Sequence, residues 1–172
     1  MHSFTPWKAT LAGLAATFGL YVSAKAGFRA VWGESLSFLA FPYGTGGFLI
    51  GALLGGIAHE LTHAGAALVL TAKSTGISVQ FGVRISTLMP YVRVIGPLRA
   101  ATYRYIMLTP GVALGLLPLV FAFATGNAPL ALYACFMTAI ASGDLLVIFA
   151  IRDIGSNELV HDQADRVGCE RL

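Results

Sequence analysis

Three ionisable residues sit in the middle of one apolar run: His59, Glu60 and His63, in the order His-Glu-Leu-Thr-His. On an α-helix, residues four apart share a face, about 6 Å apart along the axis. Two imidazoles at that spacing can hold one metal ion, and zinc suits nitrogen ligands. A carboxylate beside the first imidazole can reach a water on that metal. The chemistry on offer is hydrolysis. Zinc brings the pKa of its water toward about 7, and Glu60 takes the proton as general base.

The surroundings raise the weight of the motif. From Phe48 to Leu70 no other side chain is ionisable. Ionisable groups at mid-membrane cost about 2.5–3.5 kcal/mol each on insertion scales. Packing alone does not need His, Glu and His at this spacing. A catalytic zinc usually has three protein ligands and one open position. The third has to come from elsewhere, and a later apolar run offers one acid, Asp144, in Ser142-Gly143-Asp144. His63 lies about 15 Å from the end of its helix near Lys73, and Asp144 about 12 Å from Arg152, so the two match in depth. Competing readings of Asp144 are a packing acid, a partner for Arg152, or a group that orients a ligating His.

The elements that must position these residues follow from composition. Of 172 residues, 56% are apolar and 11% charged, with mean hydropathy +0.76. Soluble chains carry roughly 25% charged residues. Roughly 20 apolar residues span a bilayer as a helix, and four segments qualify, at about 9–26, 46–72, 105–125 and 129–151. The expected fold is an all-α membrane protein of one domain, 1–172, with four transmembrane helices and a tail at 152–172. Lys8, the first apolar run and Ala24-Lys25-Ala26 also resemble a cleaved signal peptide, although Lys25 and Arg29 just beyond it oppose translocation. Gly47, Gly51, Gly55 and Gly56 let the second helix approach its neighbours.

With four spans, Lys8, Lys73, Arg84, Arg93, Arg99, Arg104, Arg152, Arg166 and Arg171 share one side, and only Lys25 and Arg29 fall on the other. That bias places both termini in the cytoplasm. The net charge of +3 therefore reads as a topology and headgroup signal rather than a nucleic-acid surface. Between the second and third helices, 76–84 partly alternates and 87–94 could follow as a second strand, which predicts a short β-hairpin or loop. Pro90 cannot donate to a ladder and belongs at an edge or bulge. Cys135 and Cys169 fall in a predicted helix and in the tail, and form no disulfide framework.

The motif helix, the hairpin region after it and the Ser142-Gly143-Asp144 helix resemble the site-2 protease family. Its members cleave transmembrane substrates inside the bilayer with two His and a distant Asp on zinc. A closer resemblance is to a group of small bacterial membrane proteins described as zincin peptidases. These pair H-E-x-x-H with a Ser-Gly-Asp helix and a tail of the form Asp-His-Pro-x-x-x-Gly-Cys. Here Asp162, Gly168 and Cys169 fit the tail pattern, while Gln163-Ala164 replaces His-Pro and His161 precedes the Asp. The order Gly143-Asp144 departs from the site-2 group, whose Asp precedes a Gly. The resemblance covers about residues 45–170. It implies Zn2+ on His59, His63 and Asp144, Glu60 as the catalytic base, and a place in the bacterial inner membrane.

The expected function is a membrane-embedded zinc endopeptidase acting on membrane or membrane-proximal proteins. The expected partners are a protein or peptide substrate and the lipid bilayer, with no nucleic acid, and a homodimer would thicken a four-helix enclosure. An extended substrate could add to the edge of the hairpin near Pro90 and Tyr91. The alternative is a non-proteolytic protein with a structural or regulatory zinc, against which the presence of Glu60 argues. His161, Asp162 and Cys169 form a rival ligand set, in a tail whose polarity reads as solvated surface.

Overall fold

The computed structural model describes residues 2–4, 6–72, 76–84, 89–162 and 167–171. Strand β1 (His2–Phe4) leads into helix α1 (Pro6–Trp32), and a 3-10 turn at Phe38–Ala40 precedes α2 (Gly44–Thr71). Strands β2 (Ser78–Arg84), β3 (Met89–Ile95) and the short β4 (Leu98–Arg99) follow. A long helix runs from Ala100 to Thr125 in three parts: α3 (Ala100–Pro110), a π-helical stretch (Gly111–Leu116) and α4 (Leu117–Thr125). Helices α5 (Ala128–Ile140) and α6 (Ser142–Ala150) form a second broken rod, and β5 (Leu159–Asp162) and β6 (Val167–Arg171) close the chain.

The expected hairpin is present. Strands β2 and β3 pair antiparallel from Ser78 with Ile95 to Arg84 with Met89; residues 87 and 88 of the predicted second strand lie outside the described residues. The tail differs from the expected solvated segment. Strands β1, β6, β5 and β4 form a four-stranded sheet in that order. Val160 and Cys169 are fully enclosed, because a few apolar residues of the tail cover the ends of α3 and α6. Both cysteines are free thiols.

This sheet and the hairpin sit at one end of the bundle. An apolar cluster there joins Ala67 of α2, Tyr103 and Ile106 of α3, Val147 of α6, and the strand residues Val160 and Cys169. A second cluster at the opposite end joins Ala24 and Phe28 of α1, Ala122 of α4, and Ala128 and Cys135 of α5. There Gly126 turns the chain with φ +70°, and the Asn127 side chain accepts from the Leu130 amide to cap α5.

The chain thus passes up and down between the two ends. Three of its rods, Gly44–Thr71, Ala100–Thr125 and Ala128–Ala150, are long and apolar enough to cross a membrane. Helix α1 has 27 residues, with Lys25 and Arg29 near its C-terminal end. Much of the outer face of α2 is apolar and exposed, including Leu49, Leu53, Leu54, Leu61 and Leu68. Its polar residues His59 and His63 are turned inward. A soluble helix buries the opposite set.

Candidate metal centre

The spacing of the motif does what the helix geometry requires. His59 and His63 stand on one face of α2, with ring centroids 4.8 Å apart and planes at 83°. Both are buried, at 4% and 6% exposure. Opposite them α6 begins at Ser142, after a break at Ala141, and carries Asp144 in its first turn. Asp144 Oδ2 lies 3.1 Å from His59 Nε2, and Oδ1 lies 3.4 Å from His63 Nε2. Asp144 is not engaged by Arg152, whose guanidinium stacks on Phe149 and approaches Asp153.

One ligand atom from each of His59, His63 and Asp144 lies within 4.8 Å of the others. Two ligands at about 2.0–2.1 Å from a tetrahedral zinc are about 3.3–3.4 Å apart, close to the His–Asp separations. Asp144 Oδ2 is buried with no hydrogen-bond partner among the described residues, although it approaches His59 closely, so the contact there is proximity without hydrogen-bond alignment. Two nitrogens and a carboxylate, converging in an apolar bundle with a buried carboxylate oxygen unsatisfied, fit a zinc ion.

Backbone groups from neighbouring elements orient the motif. The Ile106 carbonyl lies 2.9 Å from His63 Nδ1. A carbonyl only accepts, so Nδ1 carries a proton, and in a neutral ring this leaves the Nε2 lone pair on the side of Asp144. Pro110 explains why a carbonyl inside a helix is available. It lies within α3 and has no N–H to return to Ile106, four residues earlier. His59 Nδ1 is buried and has no hydrogen-bond partner among the described residues.

Glu60 points from α2 toward the hairpin. Its Oε2 accepts a 3.0 Å hydrogen bond from the Val92 amide of β3, which leaves Oε1 uncommitted to that strand. Two residues on, the Val94 amide donates to Asp162 Oδ2 at 3.3 Å. Outward-facing amides of an antiparallel strand recur every second residue, so those of β3 fall at 90, 92 and 94. Pro90 has none, and carboxylates occupy the other two. The hairpin edge near Pro90 and Tyr91 therefore offers an incoming strand no free amide at these positions. Tyr91 itself folds across the hairpin, its ring in the space a Cβ on Gly82 would fill.

Asp162 gathers several elements at this end. Besides Val94, it accepts from the Tyr103 hydroxyl at 3.2 Å, and its carbonyl accepts from Arg93 at 3.2 Å. Burial pushes its carboxyl above the ordinary carboxylate range, opposed by the hydrogen bonds from Val94 and Tyr103 and by the charge of Arg93. The rival ligand set does not assemble. Asp162 lies opposite Cys169 in the β5–β6 register and His161 opposite Glu170, so His161 faces the other side of the sheet. Among the described residues only His59, His63 and Asp144 converge as a metal-binding group.

Neither Val92 nor Ile106 was a candidate on sequence grounds, since each contributes a backbone group. For Ile106 a signal existed, namely a proline inside an apolar helix. Arg104 is likewise informative only in three dimensions: its guanidinium donates to the carbonyls of Ile151 at 2.5 Å and Ile154 at 2.6 Å, capping the end of α6.

No curated protein and no solved structure matches the chain. The model of a family described as "Putative zincin peptidase" matches residues 52–158, well over half the chain and all of His59, Glu60, His63 and Asp144. A zinc-dependent peptidase is what such a family suggests, and the three converging side chains supply a place for the metal. By this match, this chain belongs to that zincin peptidase family.

Proposed function

We propose that the protein is a membrane-embedded zinc endopeptidase that hydrolyses peptide bonds of membrane or membrane-proximal proteins. The observation that carries this is the Asp144 carboxylate, brought from a distant helix against the Nε2 atoms of both motif histidines. His59, His63 and Asp144 would hold the metal. Bound zinc would acidify a water and polarise the scissile carbonyl. Glu60, steadied by the Val92 amide on Oε2, takes the water's proton and passes it to the leaving amine. A metal held only for structure would need no carboxylate at that position.

Four spans are supported by the path of the chain. α2 ends, and α3 begins, beside the strands, so α2 starts at the far end of the bundle. Strand β1 pairs with β6 in the same sheet, which puts the start of α1 at the strand end. To reach α2 the chain must therefore cross with α1, whose 27 residues extend about 40 Å. Lys25 and Arg29 then fall at the far side, and the bias of positive charge puts the sheet, the hairpin and both termini in the cytoplasm. The site would draw water from that side, since lipid supplies none. The substrate peptide would approach along β3 near Pro90 and Tyr91, sharing the Val92 amide with Glu60.

The test is Glu60→Gln, purified in detergent beside the unaltered chain. Zinc content is measured by elemental analysis, and hydrolysis with a fluorogenic hydrophobic peptide library in lipid nanodiscs. One zinc per chain should remain while cleavage falls roughly 10²–10⁴-fold, the usual worth of a general base. Full cleavage with zinc retained would remove Glu60 from the mechanism.

A further inference from the structure

A helical carbonyl normally accepts the amide four residues later. At Ile106 that donor is missing, because residue 110 is proline. The carbonyl is buried, and His63 Nδ1 lies 2.9 Å away. Ile106 and Pro110 are themselves fully enclosed, so water is not at hand to satisfy either group. Helix α3 thus gives up one of its own hydrogen bonds where α2 presents an imidazole.

We propose that Pro110 is a positioning residue of the metal centre: by withholding an amide from Ile106, it reserves that carbonyl for His63 and fixes the imidazole with Nδ1 protonated and Nε2 free to ligate. Groups that hold the far nitrogen of a ligating His fix its tautomer and orientation, and their loss costs about 10–100-fold in metal affinity. An amide at residue 110 would compete for the carbonyl and leave His63 free to rotate or change tautomer.

A proline inside a helix is also a stability cost relative to a good helix former. If Pro110 merely shaped α3, replacing it would move stability and metal binding in the same direction. As a positioning residue it moves them in opposite directions, which separates the two roles.

This role rests on His63 being a metal ligand, as proposed above. The experiment is Pro110→Ala in detergent, titrated with Co²⁺ alone and followed by its ligand-field absorption. Thermal unfolding is recorded without metal, and Pro129→Ala, in the first turn of α5, serves as control. Pro110→Ala should bind Co²⁺ about tenfold more weakly while unfolding at the same or a higher temperature, and Pro129→Ala should bind as the unaltered chain does. In ¹⁵N NMR of the metal-free unaltered protein, the His63 ring should be protonated at Nδ1, a readout that does not depend on any variant folding. Unchanged Co²⁺ affinity in Pro110→Ala, an equal loss in Pro129→Ala, or a His63 ring protonated at Nε2 would each overturn the role of Pro110 while leaving the metal site standing. Absence of Co²⁺ binding by the unaltered chain would overturn both.

Discussion

Replacing Asp144 by alanine removes the only ligand that does not come from α2, and its cost can be worked through. Structural zinc sites are worth about 10–16 kcal/mol, usually over four ligands, or roughly 2.5–4 kcal/mol each. At about 1.4 kcal/mol per tenfold, Asp144→Ala should weaken zinc binding roughly 10²–10³-fold. The same figure predicts a thermal signature. Zinc at about 1,000 times its wild-type Kd stabilises the folded chain by about 4 kcal/mol. At that concentration the variant should gain only about 0.4–1.4 kcal/mol. The assay is zinc competition against a chromophoric chelator, paired with unfolding scans at matched zinc. His161→Ala and Cys169→Ser belong in the same experiment, since they probe the rival ligands, and neither should alter affinity. An Asp144→Ala protein that holds zinc as tightly as the wild type would refute the three-residue centre, whatever its activity.

The hairpin edge gives a second expectation. Asp162→Asn keeps the shape of the side chain but loses one acceptor, from either Val94 or Tyr103. A hydrogen bond to a charged group is worth about 1.5–3 kcal/mol, so amide exchange in β3 should quicken by about 10–100-fold in hydrogen–deuterium exchange while α5 is unaffected; equal acceleration in both would mean general loosening instead. Cys169 gives a third. Burial pushes its thiol up to about 11, from an ordinary 9.0. Because the folded chain keeps that proton longer than the unfolded one, the contribution to stability is full below about pH 9 and is lost as pH rises toward 11. At pH 8 iodoacetamide should leave Cys169 of the native protein unlabelled and modify it after denaturation, as read by mass spectrometry; native labelling at the denatured rate would contradict its enclosure.

What the sequence made legible tracks how local each signal is. His59, Glu60 and His63 lie within two turns of one helix, so spacing and the absence of other charge identify them. Asp144 is 81 residues from His63, and depth along two helices was enough to join them, because a membrane turns position along a helix into height. The hairpin was legible from alternation and the position of Pro90. The four-stranded sheet was not. Its strands are two to five residues long, too short for a period to emerge, and they come from three remote parts of the chain. The tail's charged and polar residues concealed Val160 and Cys169 for the same reason. The first helix shows the converse limit: its apolar run suggested a span, while Lys25 and Arg29 near its C-terminal end weigh against one, so composition alone does not decide its path.

The π-helical stretch at Gly111–Leu116 has a meaning in residue counting. Along this rod the enclosed positions are Ala100, Tyr103, Ile106, Pro110, Gly115 and Ala122. Their spacing is three, three and four, as a helix of 3.6 residues per turn requires, then five, then the seven of about two regular turns. In an unbroken α-helix a step of five overshoots the inner face by about 140°. The wide turn absorbs the surplus, and the amide of Leu117 accordingly reaches Val112, five residues back. The rod therefore holds one residue more than its packing surfaces would need if it were regular. Delete one residue between Pro110 and Gly115, and the turn can relax to ordinary α-helix with those two residues four apart, both still inward, and Gly115 still against Thr138. If the turn instead became ordinary α-helix with no residue removed, α3 would swing by about 100° relative to α4, carrying the Ile106 carbonyl away from His63. The phase of this helix is thus a shared coordinate, through which the winding of the stretch beyond Pro110 sets what a nitrogen of His63 faces.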